Sequence, residues 1–378
     1  MVFKNITLIE KSKLILIAAT GLLVLAISAL ATVFLFNISY SEEPETMEYS
    51  SQDVQKYTAE IEARTDPSFN VLLLGYGGAD HDGSFLTDAI KLVNIDPVTK
   101  DVTVISIPRD LWVEIPVRSD MGEYQKINAA YAIGMDDNYP LKQTQYRGVE
   151  GAQKLVGDVV EAITGKKVDG VIAVDFAGLI DTVDALGGIE VNVPVTFDDY
   201  FYPIKGEENN ICGKSPEEME RIHALYSGFE LEKQFECRYE HLHFDAGINH
   251  MDGQTVLKFV RSRHSNEHGG DFARAQRQMA VLSAIKEKVL SLGAFDNVPG
   301  FIKNYTRSVT TNLKAEAIIA FLAKFPETGG YSTKSITLSD ENVLTNATSP
   351  EGAYILEPRA GQGNFTDVKA YINAELEK

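Results

Sequence analysis

The chain has 378 residues, 44% of them hydrophobic, and a formal net charge of -19. That is enough apolar content for one large domain or two small ones. It excludes a general affinity for nucleic acid, which comes from neutralising phosphates, so any anion must be held by a local basic cluster against the average field.

Residues 14–36, LILIAATGLLVLAISALATVFLF, carry no charge over 23 positions. That length spans a bilayer as a helix. Lys4, Lys11 and Lys13 precede the run, and Glu42, Glu43, Glu45 and Glu48 follow it. The positive-inside rule predicts a cytoplasmic tail over 1–13, a signal anchor over 14–36, and an extracytoplasmic chain beyond about residue 40. A cleaved signal has a shorter apolar region of roughly 7–15 residues, and here the run continues past the small residues at 29–31. The expectation is a single-pass protein of the cell membrane. Residues 37–68 are acidic and polar and read as a membrane-proximal stalk, with a short helix around 51–63.

FNVLLLG, 69–75, has the pattern of a buried strand ending in glycine. DAIKLVNID and DVTVISIPRD predict two more strands, turning at DPVTK. GVEGAQKLVGDVVEAITG, 148–165, has helical spacing. GVIAVDF predicts a strand, FAGLIDTVDALGG a helix with a glycine C-cap, and IEVNVPV a strand. Strands alternate with helices, so the predicted class is α/β, a three-layer α/β/α arrangement with a central mixed sheet. Residues 198–243 break the rhythm; they are acidic and rich in tyrosine, and predict a surface insertion. It holds both cysteines, Cys212 and Cys237. Outside the cytoplasm they can pair, closing a loop that stabilises by roughly 3 kcal/mol in the chain-entropy model, or stay as thiols. Cys-x-x-Cys spacing is absent, which argues against a metal site. HMDGQTVLKFVRSR predicts a helix or helix–strand, followed by a helix from Ala273 to about Leu290. AEAIIAFLAKF, KSITL and residues 366–377 predict a helix, a strand and a terminal helix. Residues 69–378 read as one domain.

Three stretches could carry chemistry. GYGGADHDGSFLTDAI, 75–90, is a glycine-rich turn after a strand that contains Asp80, Asp82 and Asp88. Such turns let backbone approach phosphate, but neither the Walker nor the Rossmann pattern is present. Alone it reads equally as a solvated turn. SIPRDLW, 106–112, puts Arg109 at a strand exit, where ligands dock in open α/β sheets. KINAAYAIG then offers Lys126 and Asn128 as further donors. The third, VRSRHSNEHGGDFARAQRQ, sets Arg261, Arg263, Arg274 and Arg277 within 17 residues of an acidic chain. Asp271 suits an N-cap. Arg274, Arg277 and Gln278 share one helix face. Arginine's planar fork matches phosphate, and a helix N-terminus adds unpaired N–H groups. The sum predicts a pyrophosphate-sized anion, with carboxylates such as Asp88 holding Mg2+ beside it.

The ordered set LLLG, TD, SIPRD, KINAAYAIG, VDFAGLIDTVDALGGIEV, HMDGQTVLKFVRSR and GDFARAQRQ resembles the LytR-CpsA-Psr family of cell-envelope proteins, over about residues 70–290. The resemblance implies transfer of a glycosyl phosphate from a polyprenyl-pyrophosphate-linked glycopolymer to a hydroxyl of peptidoglycan outside the membrane. Carried over by motif, Arg109, Arg261, Arg263, Arg274 and Gln278 are implied pyrophosphate ligands, and Asp88 is the implied Mg2+ ligand. Asp271 is the candidate base. Two positions depart from the family's pattern. Its arginine two residues before the metal-binding acid is Leu86 here, with His81 or Lys126 as possible substitutes. Its second acid, in a Gly-x-Asp element, falls in GYGG, which leaves Asp80, or else Asp82. Two alternatives keep the same anion clamp: a pyrophosphatase with water as acceptor, and a non-catalytic protein that binds polyprenyl pyrophosphate.

Overall fold

A computed structural model of the chain describes residues 51–78, 83–291, 309–325 and 331–378. The expected tail and anchor, the first part of the expected stalk, and Asp80, His81 and Asp82 lie outside the described residues. In chain order the strands are β1 (Phe69–Tyr76), β2 (Thr87–Asp96), β3 (Asp101–Ile107), β4 (Trp112–Ile115), β5 (Glu123–Lys126), β6 (Gly170–Asp175) and β7 (Ile189–Val193). They continue with β8 (Phe197–Pro203), β9 (Tyr239–Phe244), β10 (Gly247–Met251), β11 (Val309–Thr311), β12 (Ser332–Thr337), β13 (Leu344–Thr348) and β14 (Tyr354–Pro358). Two compact units are distinguishable within the region expected to run from 69 to 378. Among the described residues, one is built from the chain up to Thr182 and from Val289 onward, the other from Val183–Lys288.

The first unit is organised on a six-stranded sheet in the order β11-β6-β1-β2-β3-β12. β1 runs antiparallel to β2 and parallel to β6, so the sheet is mixed. Strand residues alternate between faces, and both faces are apolar here. Leu72, Leu74, Leu92, Ile105 and Ala173 form one face, packed with Tyr131 of the helix Ala129–Met135 and with Leu155, Val156 and Val159 of the helix Gly148–Thr164. Val71, Val93, Val104 and Ile172 are buried on the other. There Phe69 meets Phe321 of the helix Ala315–Lys324, with ring centroids 5.0 Å apart. The helix Gly148–Thr164 ends as its sequence predicts, with Gly165 at φ +72° closing it. Gly134 lets the two helices on the first face touch: a Cβ there would lie 2.4 Å from Ala152 Cα.

The helix expected near 51–63 spans Ser51–Glu62. The chain after it is latched to the sheet. Arg64 forms two hydrogen bonds to the Asp169 carboxylate just before β6, one of them at 3.1 Å from Nη1. Lys166 adds an ion pair to Asp66 at 2.8 Å.

The second unit contains two antiparallel ribbons, β7–β10 and β8–β9. Phe197, Phe244 and Phe259 form its aromatic centre, with centroids 5.1–6.0 Å apart. The stretch 198–243, expected as an insertion, is more regular than its composition suggests. Its ends are β8 and β9, and between them lie the helices Pro216–Leu225 and Gly228–Glu232. Ser215 and Glu218 form a reciprocal capping box at the first of these. Cys212 and Cys237 are disulfide-bonded, with Cα atoms 5.7 Å apart.

Candidate functional site

In the first unit the charged candidates gather at the ends of β2 and β3. Asp88 is the second residue of β2. Arg109 follows the end of β3 and its guanidinium pairs with the Asp88 carboxylate. Arg109 Nε lies 3.6 Å from Asp110, and Lys126 Nζ donates to Asp110 at 2.6 Å. The result is an alternating array, Asp88–Arg109–Asp110–Lys126. Local pairing explains how residues 17 positions apart meet. The β4–β5 hairpin puts Trp112 opposite Lys126, and the N–H groups of Ile127 and Asn128 donate to the carbonyls of Leu111 and Arg109 at 2.8 and 3.3 Å. Asn128 is thus placed beside Arg109, and its carbonyl accepts the Thr87 N–H at 3.1 Å. Leu86, where the family pattern has arginine, is exposed and brings no donor.

Two features beside this array were not legible in the motifs. Lys91, on β2, is buried and donates to Ser106 of β3 at 3.0 Å; its one signal in the sequence is a lysine inside an apolar strand. Asp175, at the end of β6, accepts the Gly178 N–H at 2.7 Å. Gly78 packs directly on that carboxylate, where a Cβ would come within 3.3 Å of Oδ2.

In the second unit the helix Gly253–Arg261 is capped by Asp252, which accepts the Thr255 N–H at 2.8 Å. Arg261 ends that helix and donates to Tyr202 OH at 3.2 Å. Ser262 and Arg263 begin an irregular segment that leads to the helix Gly270–Ser291. That helix starts one residue before Asp271, so Asp271 lies in its first turn instead of capping it. Gly270 has φ +78°, a left-handed value that suits the junction. Gly269 passes so close to Ser265 that a Cβ would sit 2.1 Å from its carbonyl oxygen.

Arg274 and Arg277 are both buried, whereas Gln278 is half-buried. Arg277, expected as a phosphate ligand, is fully buried and committed to the protein's own backbone. Nε donates to Phe259 O at 3.0 Å, Nη1 to His268 O at 2.6 Å, and Nη2 to Ser262 O. Burial pushes its pKa down to about 10. Each nitrogen of the fork donates to a carbonyl of the helix Gly253–Arg261 or of the segment that follows it, which commits Arg277 to holding the protein's own backbone. Asp199 was also missed by the motifs. It is buried at the base of the β8–β9 ribbon, and its carboxylate meets the chain at 262–264.

Among the described residues, no three His, Cys, Asp or Glu side chains are grouped to hold a metal ion. A Mg2+ ion needs no such cage, since one or two carboxylates plus substrate phosphates suffice. Asp88 is one carboxylate of that kind, and its side chain is 38% exposed.

A mixed sheet flanked by helices, with Arg109 at the exit of one strand, defines an α/β protein. The LytR_cpsA_psr family model matches residues 33–360, and the chain belongs to that family. It is 24% identical over 312 residues to TagV of Bacillus subtilis, named a polyisoprenyl-teichoic acid–peptidoglycan teichoic acid transferase. That match covers 82% of this chain and 65% of TagV. It is 25% identical over 371 residues to TagU of Bacillus licheniformis, which bears the same transferase name, covering 98% of each chain. The crystal structure of Bacillus subtilis TagV shares the fold, with a TM-score of 0.52 at 23% identity, covering 83% of this chain and 99% of that one.

Proposed function

We propose that this protein transfers a glycosyl phosphate from a polyprenyl-pyrophosphate-linked glycopolymer to a hydroxyl of peptidoglycan, anchoring the polymer to the cell wall. The observation that carries this reading is the Asp88–Arg109–Asp110–Lys126 array at one sheet end of an otherwise strongly acidic chain. Family membership and the names of the relatives support it. In the reaction the acceptor oxygen attacks the phosphorus nearer the sugar. The pyrophosphate P–O bond breaks, polyprenyl phosphate leaves, and the hydroxyl proton passes to a base, for which Asp271 is the candidate. Arg109, Arg261, Arg263 and Arg274 would supply charge-assisted hydrogen bonds to anionic oxygens. Bound Mg2+, held by Asp88 together with Asp80, would neutralise phosphate charge. Residues 14–36 act as the anchor, which places the enzyme at the outer face of the cell membrane.

The test uses the full-length chain in detergent with a polyprenyl-pyrophosphate-linked glycan and peptidoglycan. Polymer bound to peptidoglycan by a phosphodiester, lost in Arg109→Ala and in Arg263→Ala, is the expected result. Release of free glycosyl phosphate at the same rate without peptidoglycan would replace transfer with hydrolysis.

A further inference from the structure

The segment carrying Ser262 and Arg263 has no regular structure between the helix ending at Arg261 and the one beginning at Gly270. Such a segment keeps one shape only if its backbone groups find partners. Asp199 provides them. Oδ2 accepts the Ser262 hydroxyl at 2.6 Å, the Arg263 N–H at 3.0 Å and the His264 N–H at 3.1 Å. Oδ1 accepts the N–H of Phe201, on its own strand, at 2.9 Å, which fixes the carboxylate. The side chain is fully buried, and Asp199 faces Leu242 in the β8–β9 register. Burial alone would raise its pKa, but the hydrogen bonds outweigh that and hold it below the ordinary carboxylate range. Charge-assisted bonds of this kind are among the stronger ones in proteins.

Two neighbours, one on the same ribbon and one on the excursion it carries, continue the pattern. Tyr202 OH accepts from Arg261 at 3.2 Å, and the guanidinium lies 5.6 Å from the Tyr202 ring centroid. The Phe229 ring, from the helix Gly228–Glu232, stacks on His264 with centroids 4.1 Å apart and planes 12° apart. Each residue from 261 to 264 therefore touches the ribbon or the excursion it carries.

We propose that Asp199 is a positioning residue for anion binding: it fixes the backbone from which Arg263 projects, and with Tyr202 it sets the direction of the Arg261–Arg263 pair. This rests on the transferase reading above for the identity of the anion. Asp199 touches no substrate in this role and acts through Arg263. Asparagine keeps only one acceptor oxygen, so its NH2 must face either the three donors at 262–264 or the Phe201 N–H; in either orientation a donor meets a donor, the charge is lost, and the seat of the segment is weakened.

The test uses the full-length chain in detergent, with geranyl pyrophosphate as the probe in calorimetric titrations and amide hydrogen exchange read alongside. The proteins are wild type, Asp199→Asn, Ser262→Ala, Arg263→Ala and the double variant Asp199→Asn with Arg263→Ala. Asp199→Asn is expected to weaken binding by about 10- to 100-fold, the scale of a small misplacement of a ligand-holding group. The amides of Arg263 and His264 should lose protection while β7 and β10 keep theirs. The double variant should bind within about twofold of Arg263→Ala alone, because residues acting as one unit are not additive. A merely structural Asp199 predicts losses that multiply, and that result overturns the proposal, as does unchanged exchange at 263 and 264. If Asp199→Asn also loses the β7–β10 protection, Ser262→Ala, which removes a single bond, takes its place in the same cycle. If wild type itself does not bind geranyl pyrophosphate, the transferase reading fails, and the exchange data still decide whether Asp199 holds the segment.

Discussion

Arg277→Ala separates a structural arginine from a ligand. Three hydrogen bonds run from this guanidinium to the carbonyls of Phe259, Ser262 and His268. Bonds to a charged group contribute about 1.5–3 kcal/mol each, so the three together give roughly 5–9 kcal/mol before costs. Taking the guanidinium out of water costs several kcal/mol, and the pKa pushed down to about 10 reflects that cost. Truncation also leaves three carbonyls facing a cavity, part of which water can refill. The net loss should be about 3–5 kcal/mol, the range for breaking a buried charged contact. In a unit of about 100 residues, each kcal/mol moves the melting temperature by roughly 4–8 °C, so the transition of the 183–288 unit should fall by some 12 °C or more. The assay is thermal unfolding of the intact protein, with hydrogen exchange to identify which unit has opened. Arg277→Lys should recover little, since one ammonium cannot reach carbonyls spread around a planar fork. Wild-type melting in Arg277→Ala, with only pyrophosphate binding weakened, would refute this reasoning and return Arg277 to the clamp.

Replacing both Cys212 and Cys237 with serine should destabilise the 204–238 excursion by about 3 kcal/mol, seen as earlier protease cleavage within it, while β1–β3 stay protected. Gly134→Ala gains about 1 kcal/mol of helix propensity but drives a Cβ onto Ala152, an overpacking cost of about 1–3 kcal/mol or more. A lower melting temperature is expected, and an unchanged one would mean that the two helices do not approach as described. The pKa of Asp199 is depressed in the folded protein, so its carboxylate contributes fully above the unfolded value near 3.9. That contribution is lost as pH falls through the lower folded value. Amide protection at Arg263 and His264 should therefore persist at pH 5 and drop only below about pH 4; a loss centred near pH 6 would implicate an imidazole instead.

In the first unit β1, β2, β3 and β6 are legible because each is a short apolar run between turn residues. FNVLLLG becomes Phe69–Tyr76, and DAIKLVNID becomes Thr87–Asp96. The hairpins β4–β5 and β13–β14 were not, since strands of four and five residues leave too few positions for a period to emerge. Arg109 and Lys126 stood out by chemistry, but only the hairpin between them explains their meeting at Asp110. Arg277 shows what helical spacing does not convey. Spacing of three places it on one face with Arg274, and both are indeed buried together. Periodicity reports which face turns inward but not which carbonyls wait there. Asp199 was invisible because a carboxylate in an acidic, tyrosine-rich stretch looks like one more solvated charge. Its partners lie more than 60 residues away.

The Arg64–Asp169 latch bears on reach. With the bilayer anchor proposed at 14–36, a stalk free over 37–68 would let the enzyme range up to about 110 Å from the membrane, at roughly 3.5 Å per extended residue. Because Arg64 and Asp66 are fastened beside β6 and the helix Ser51–Glu62 precedes them, the greatest span open to the chain between anchor and domain falls to that of residues 37–50, at most about 50 Å. If the donor is the lipid-linked polymer proposed above, a reach this short would hold the domain close to the bilayer in which that donor sits.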